Sequence, residues 1–220
     1  MAEAASERTR VRRHPERGVY DPAAIHAIVD EAPICHVGFV HEGQPFVLPT
    51  THGRRGDTVY LHGAAASTML RGLARGLPVC VTFTLMDGLV LARSIYNHSM
   101  NYRSVVAVGT AVDVRGREEK LQALEAIAEH VMPGRWQDAR QPSEPELKAT
   151  RVLRLSLIEA SAKVREGPPV DDEEDMSLPV WAGVVPVAIR LGAPEPAPEM
   201  AHGAAAPAYI AARVAAAAVR

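Results

Sequence analysis

Residues Val79 to Met86 alternate strictly, with Val79, Val81, Phe83 and Leu85 on one side and Cys80, Thr82 and Thr84 on the other. A period of two sends every apolar residue to one face of an extended chain, so this stretch predicts a strand with one face in a core. Its surroundings read the same way. Ile34–Val40 and Pro45–Thr50 flank a tight turn at Glu42-Gly43, Thr58–His62 follows a polar turn, and Leu89–Ser94 follows Asp87-Gly88, a hairpin signal. Ser104–Val114 sets Val106, Val108, Val112 and Val114 on one face, and Val152–Ile158 groups Leu153, Leu155 and Leu157. Only three segments carry helical spacing. One starts at Asp21-Pro22 and stops at Pro33, one runs from Ser67 to Arg75, and one runs from Arg117 to Met132 before Pro133-Gly134. Six or seven strands in a row of hairpins exclude a doubly wound parallel sheet. They predict a mainly β, antiparallel barrel decorated with helices.

The chain has 220 residues, 47% of them hydrophobic, which suits one folded domain with tails. Residues 1–17, with Arg8, Arg10, Arg12, Arg13 and Arg17, read as a flexible arm, 18–190 as the folded domain, and 191–220 as an Ala/Pro-rich tail without chemistry. A formal net charge of −2 argues against a nucleic-acid partner. No apolar run is long enough to span a bilayer, and no signal-peptide core opens the chain. Two cysteines, Cys35 and Cys80, cannot build a disulfide framework, so a reducing cytoplasm is the expected compartment. Asp171 to Asp175 reads as a solvated acidic loop.

Three segments could hold chemistry. In His62-Gly-Ala-Ala-Ala-Ser67-Thr-Met-Leu a strand ends at glycine, small residues follow, and a helix opens near Ser67. Free backbone N–H groups there suit a phosphate, while a plain strand-to-helix turn capped by Ser67 explains the same residues. His98-Ser-Met-Asn-Tyr-Arg-Ser104 is polar at the entrance to a valine-rich strand, and Arg103 has the planar fork for a phosphate. Trp181, within Leu178–Pro186, is either packing or the wall of a planar ligand. No dinucleotide or P-loop glycine motif, metal-ligand spacing or serine-nucleophile elbow is present, and Cys80 among valines reads as an inert thiol.

Taken in order, these pieces resemble a known family. Glu16-Arg-Gly-Val-Tyr-Asp21, Ile34–Val40, Gln44–Thr50, Thr58–Gly63, Val79–Ser94 and His98–Val105 carry the likeness, continued by Pro133-Gly-Arg-Trp136, Glu146–Thr150, Glu159–Arg165 and Pro179-Val-Trp-Ala-Gly183. Across residues 13 to 190 the chain resembles the flavin-nucleotide-binding, nitroimidazole-resistance branch of the pyridoxamine 5′-phosphate oxidase-like superfamily. The resemblance implies an FMN-binding split barrel and a homodimer with flavin at the subunit interface. By the same resemblance Leu48, Pro49, Thr50, Tyr60, His62 and Gly63 line the isoalloxazine and ribityl. Ser67, Asn101, Tyr102, Arg103 and Ser104 lie about the phosphate, and Trp181 approaches the flavin. The chain departs from its relatives at Thr68, where a basic residue often follows the serine, which leaves the phosphate charge to Arg103, Arg71 or the helix end.

The expected function is an FMN-dependent oxidoreductase that reduces a small planar acceptor, such as a nitro compound, with electrons from NAD(P)H. His62 is the candidate acid or substrate-facing group, because imidazole exchanges protons near neutrality. A hydrogen-bonded barrel histidine is the competing account. Two other classes stand beside this one: a flavin-binding stress or resistance protein without turnover, and a haem or deazaflavin binder on the same fold.

Overall fold

In the computed structural model, which describes residues 3–200 and 205–217, the alternating strand is longer than its turn signal suggested. Numbering elements along the chain, β6 runs unbroken over Pro78–Leu91, and Asp87-Gly88 is a bulge within it, where the register shifts between Met86 and Gly88. The reversal comes later, at 92–98, and β7 (Ser99–Thr110) returns beside β6. A bulge accommodates the extra residue without ending the ladder, so an Asp-Gly pair need not make a turn.

The large sheet has the order β1 (Gly18–Val19), β10 (Ala160–Arg165), β7, β6, β2 (Cys35–His41) and β3 (Gln44–Thr50), with β11 (Gly183–Pro186) paired to β6. The smaller sheet runs β4 (His52–Arg55), β5 (Thr58–Ala64), β9 (Thr150–Ser156) and β8 (Val112–Asp113). Every pairing is antiparallel, and neither sheet closes on itself, as in a split barrel. The main core combines Val37, Phe39, Val81, Phe83, Val105 and Ala107 of the large sheet with Val59, Leu61, Leu153 and Leu155 of the small one. Helix α1 (Pro22–Glu31) adds Ile25, Ile28 and Val29, and α2 (Thr68–Ala74) adds Leu70 and Leu73. Asp21 caps α1 as its position before Pro22 implies, accepting from Ala24 N at 3.0 Å.

The phase of β7 corrects the sequence reading. Val105 and Ala107 enter the core while Val106 is exposed, and Val112 and Val114 follow a break at Ala111 in the other sheet's neighbourhood. Consecutive valines satisfy either phase of an alternation, and pairing with Phe83 and Val81 selects the inward one.

A second cluster, Tyr60, Val114, Ala123, Ile127 and Val152, lies where the small sheet meets α3 (Arg117–Val131). Gly53 on β4 permits that contact, since a Cβ there would stand 2.5 Å from the backbone of Ala126 and Ile127. Beyond α3 come α4 (Arg135–Asp138) and α5 (Glu144–Ala149).

The arm and the tail are both attached to the body. Arg8 pairs with Glu159, Thr9 is buried, and Lys163 Nζ donates to Arg13 O at 2.9 Å, so the arginine-rich arm lies along β10 instead of floating free. The alanine-rich tail forms α6 (Ala208–Ala217), and the ring of Tyr209 sits over Gly134, whose φ of +90° only glycine adopts readily. Tyr209 Oη donates to Asp138 Oδ2 at 2.7 Å and accepts from Arg135 Nη1 at 3.1 Å. No helix among the described residues is long and apolar enough to cross a membrane.

Gly53→Ala should destabilise the fold by about 1–3 kcal/mol, because backbone atoms of α3 cannot yield as a side chain would. Urea denaturation followed by tryptophan fluorescence reads this, and an unchanged midpoint would remove the close approach as a constraint.

Candidate cofactor site

Two groups of predicted site residues emerge, on different walls. Leu48, Pro49 and Thr50 end β3, an edge strand exposed over nearly its whole length. The chain passes through Thr51 into β4, where His52 pairs with Leu61, so this junction lies at the His62–Gly63 end of β5. Gly63 brings α2 close: a Cβ there would meet Leu70 Cδ1 at 3.0 Å. The turn that follows is fixed by Ala65 N to Ala149 O at 2.8 Å and Ser67 N to Ala64 O at 2.9 Å. Ser67 Oγ accepts from Leu70 N as the cap of α2. That helix has only seven residues, so it brings little dipole to a phosphate.

His62 is half-buried, and its Nδ1 is sealed off without a hydrogen-bond partner. Its Nε2 makes no hydrogen bond among the described residues. Burial lowers its pKa, so the imidazole stays neutral near pH 7. Tyr60, two residues earlier on the same face, is instead shut beneath α3 in the second cluster and is closed to a ligand.

Asn101, Tyr102, Arg103 and Ser104 sit within β7, not in a loop, and three places from β3 in strand order. At about 4.8 Å per strand they are roughly 14 Å from the first group within one chain. Arg103 corrects the phosphate expectation. Its Nε and Nη2 donate to Asp87 at 3.0 and 2.8 Å, and its Nη1 and Nη2 donate to Glu31 at 2.5 and 3.0 Å. Those carboxylates hold its pKa above the usual guanidinium range and occupy the fork. Ser104 Oγ donates to Lys163 O at 3.3 Å. Asn101 is buried, donates to Gly167 O at 3.1 Å and accepts from Arg165, a residue the sequence reading included only as part of a family segment.

Trp181 is 65% exposed, its ring set over Gly183, where a Cβ would lie 2.8 Å from Cζ2. The acidic segment before it is only partly solvated. Asp171 accepts from Arg93 N at 2.6 Å and from Arg93 Nη1 at 2.7 Å, and Asp172 accepts from Asn97 at 3.1 Å. These bonds dock the run that delivers Trp181 onto the β6–β7 hairpin. Cys35 is fully buried, with its thiol pushed up to about 12, and burial raises Cys80 as well, so neither is a ready nucleophile.

Two further histidines, His52 and His130, are structural. His52 Nε2 lies 2.9 Å from Val29 O, His130 Nε2 lies 2.9 Å from Ala32 O, and their rings are 4.2 Å apart. Among the described residues no group of three or more His, Cys, Asp or Glu is placed to hold a metal ion.

A sequence model of the pyridoxamine 5′-phosphate oxidase family matches residues 21–164. The chain belongs to that family. Among solved structures, the flavocytochrome Anf3 from Azotobacter vinelandii is 41% identical, with a TM-score of 0.90 over 96% of this chain and 98% of that one. An FAD and haem binding protein from Mycobacterium smegmatis is 34% identical, with a TM-score of 0.86 over 90% and 97%. A candidate 5-nitroimidazole antibiotic resistance protein from Bacteroides thetaiotaomicron is 30% identical, with a TM-score of 0.56 over 67% and 86%. No curated protein matches the sequence.

Two outcomes follow from the site's electrostatics. Burial, reinforced by His130, lowers the His52 pKa from 6.5 to about 4, so between those values the unfolded chain binds a proton that the folded one refuses. Stability is therefore full above pH 6.5 and falls by about 2–3 kcal/mol as pH drops toward 4. Urea midpoints at pH 7 and 4.5, compared with those of His52→Gln, separate this loss from general acid destabilisation. Arg103→Ala should cost about 1–2 kcal/mol through its two carboxylate partners while leaving flavin affinity intact. A large loss of affinity in a folded variant would return Arg103 to the phosphate.

Proposed function

We propose that this chain is a redox protein of the flavocytochrome type, carrying a flavin and a haem in a homodimer. The likeness that supports this runs through the tails as well as the barrel: the flavocytochrome aligns over 96% of this chain, the nitroimidazole-resistance structure over 67%. The residues present fit both groups. Leu48, Pro49 and Thr50 offer an exposed, largely apolar edge for the flavin ring, and Pro49 has no N–H to leave unpaired against it. His62 has a neutral imidazole, the form in which histidine ligates iron, and with Nδ1 sealed its Nε2, which makes no hydrogen bond among the described residues, is the nitrogen left for a ligand. We assign it to the haem.

When bound, the flavin supplies two-electron and single-electron transfer, and the haem single-electron transfer. The protein's part is to orient the two groups and keep water from them. Val40, Phe46, Val47 and Leu48 are exposed on and beside an edge strand, with Phe46 stacked on Phe39 at 5.5 Å. An unprotected apolar edge calls for cover, and a second copy supplies it. The same pairing accounts for the two groups of site residues, which one chain keeps on separate walls.

A second reading keeps the flavin alone, with NAD(P)H as donor and a nitro compound as acceptor, and is favoured by the nitroimidazole-resistance relative. There His62 is the proton donor. The absorption spectrum of purified protein supplied with haem decides. Soret and flavin bands together are expected, with His62→Ala losing the Soret band and keeping the flavin. A flavin spectrum unchanged by haem would favour the second reading, which stopped-flow reduction by NADH or NADPH and reoxidation by a nitroimidazole then tests. Sedimentation equilibrium at the mass of one chain would overturn the dimer.

A further inference from the structure

Arg165, at the end of β10, is only 8% exposed and is the one permanently charged side chain among the buried described residues. Its Nη1 donates to Asn101 Oδ1 and, at 3.3 Å, to Gly167 O, while Nη2 donates to Pro168 O at 3.2 Å. All three acceptors are neutral. Among the described residues no carboxylate forms an ion pair with it, and Nε makes no hydrogen bond. The ionisable groups that act on it are Arg17, which with burial opposes its charge, and the phenol of Tyr102, its cross-strand neighbour. Among the described residues the one carboxylate paired with Arg17 is Glu16, at 3.7 Å, and Glu16 is shared with His14.

Other half-buried arginines of this protein are compensated. Arg54 has Asp30, Arg93 has Asp171, and Arg103 has both Asp87 and Glu31. A buried guanidinium facing only dipoles, with a second cation beside it, is costly until an anion arrives. Its free donor and planar fork suit an oxyanion, which can accept two parallel bonds. The cap of α2 brings little positive charge to a phosphate, and the fork of Arg103 is occupied, so two of the three phosphate partners named from the sequence are weakened and Arg71 alone of them stays open.

We propose that Arg165, backed by Arg17, receives an oxyanion of the bound cofactor, either a flavin phosphate or a haem propionate. The inference rests on the reading of the protein as a flavin and haem binder. The test measures affinities of the full-length, cofactor-stripped protein for FMN against riboflavin, and for haem against its dimethyl ester. Wild type should favour the acidic member of one pair, and Arg165→Gln should lose that preference, about 10- to 100-fold, with riboflavin and ester binding unchanged. Arg17→Ala should lose part of the same preference. It decides alone if circular dichroism shows Arg165→Gln unfolded. The pair that collapses identifies phosphate or propionate. If both preferences survive, or acidic and neutral members weaken equally, the proposal is overturned while cofactor binding stands. If wild type binds neither flavin nor haem, the functional reading fails and takes the proposal with it.

Discussion

At the C-terminal end of α1, four consecutive residues tie the helix to both sheets and to α3. Val29 O meets His52 of β4, Asp30 takes the bidentate fork of Arg54 at 2.8 and 2.5 Å, Glu31 holds Arg103 of β7, and Ala32 O meets His130 of α3. A helix ends with carbonyls that lack intrahelical partners, and here imidazole groups satisfy two carbonyls of that last turn. An open, split arrangement of sheets has no continuous ladder to fix one sheet against the other, so this turn does that work together with the core. Burial keeps both imidazoles neutral against the pull of these carbonyls, and His130 adds to it at His52, which is why the pair is sensitive to acid. Arg103 is better understood from this junction than from its sequence neighbourhood, because its strand position aims it at Asp87 and the helix end.

Elements governed by local periodicity were legible in the sequence. The alternation from Val79, the cap at Asp21 and the helical spacing after Arg117 each predict what forms, since side-chain direction follows directly from backbone geometry. The antiparallel class followed from the succession of strands. Features that depend on a distant partner were not legible. Asp87-Gly88 is as good a bulge as a turn, and only pairing with β7 decides. Val105 and Val106 are chemically identical, so the choice of face waits on Phe83. Asp171 belongs to an acidic run by composition, yet its side chain is nearly sealed against Arg93, 78 residues away.

The candidate site was legible in the same uneven way. His62 and Gly63 end β5 and Ser67 caps the helix just after it, so their proximity needs no tertiary argument. Tyr60 shares a strand face with His62, but period-two reasoning does not reveal that α3 covers only the earlier part of that face. The hydrogen-bonding capacity of Asn101 and Arg103 is a property of the residue type, whereas their role depends on what occupies them. Arg165 carried no signal of its own in the segment Glu159–Arg165, which reads as an ordinary strand, and its isolation from carboxylates is a property of the folded chain.

Charge and apolar surface are each left incompletely matched in the isolated chain. The half-buried Arg54, Arg93, Arg103 and Arg151 are each paired with a carboxylate, but Arg165, the most deeply buried arginine among the described residues, has no such counter-charge there. The protein also packs two sheets and four helices against a full core while leaving the β3 edge and Trp181 apolar and exposed. Selection for stability alone would reverse both choices, since an unpaired buried cation and an open hydrophobic edge each cost the isolated chain free energy. On the function proposed above, an anionic, planar cofactor and a second subunit would offset both costs. A folded chain that binds such groups gains stability from them by mass action, so the proposed sites are also the places where added cofactor should raise stability most.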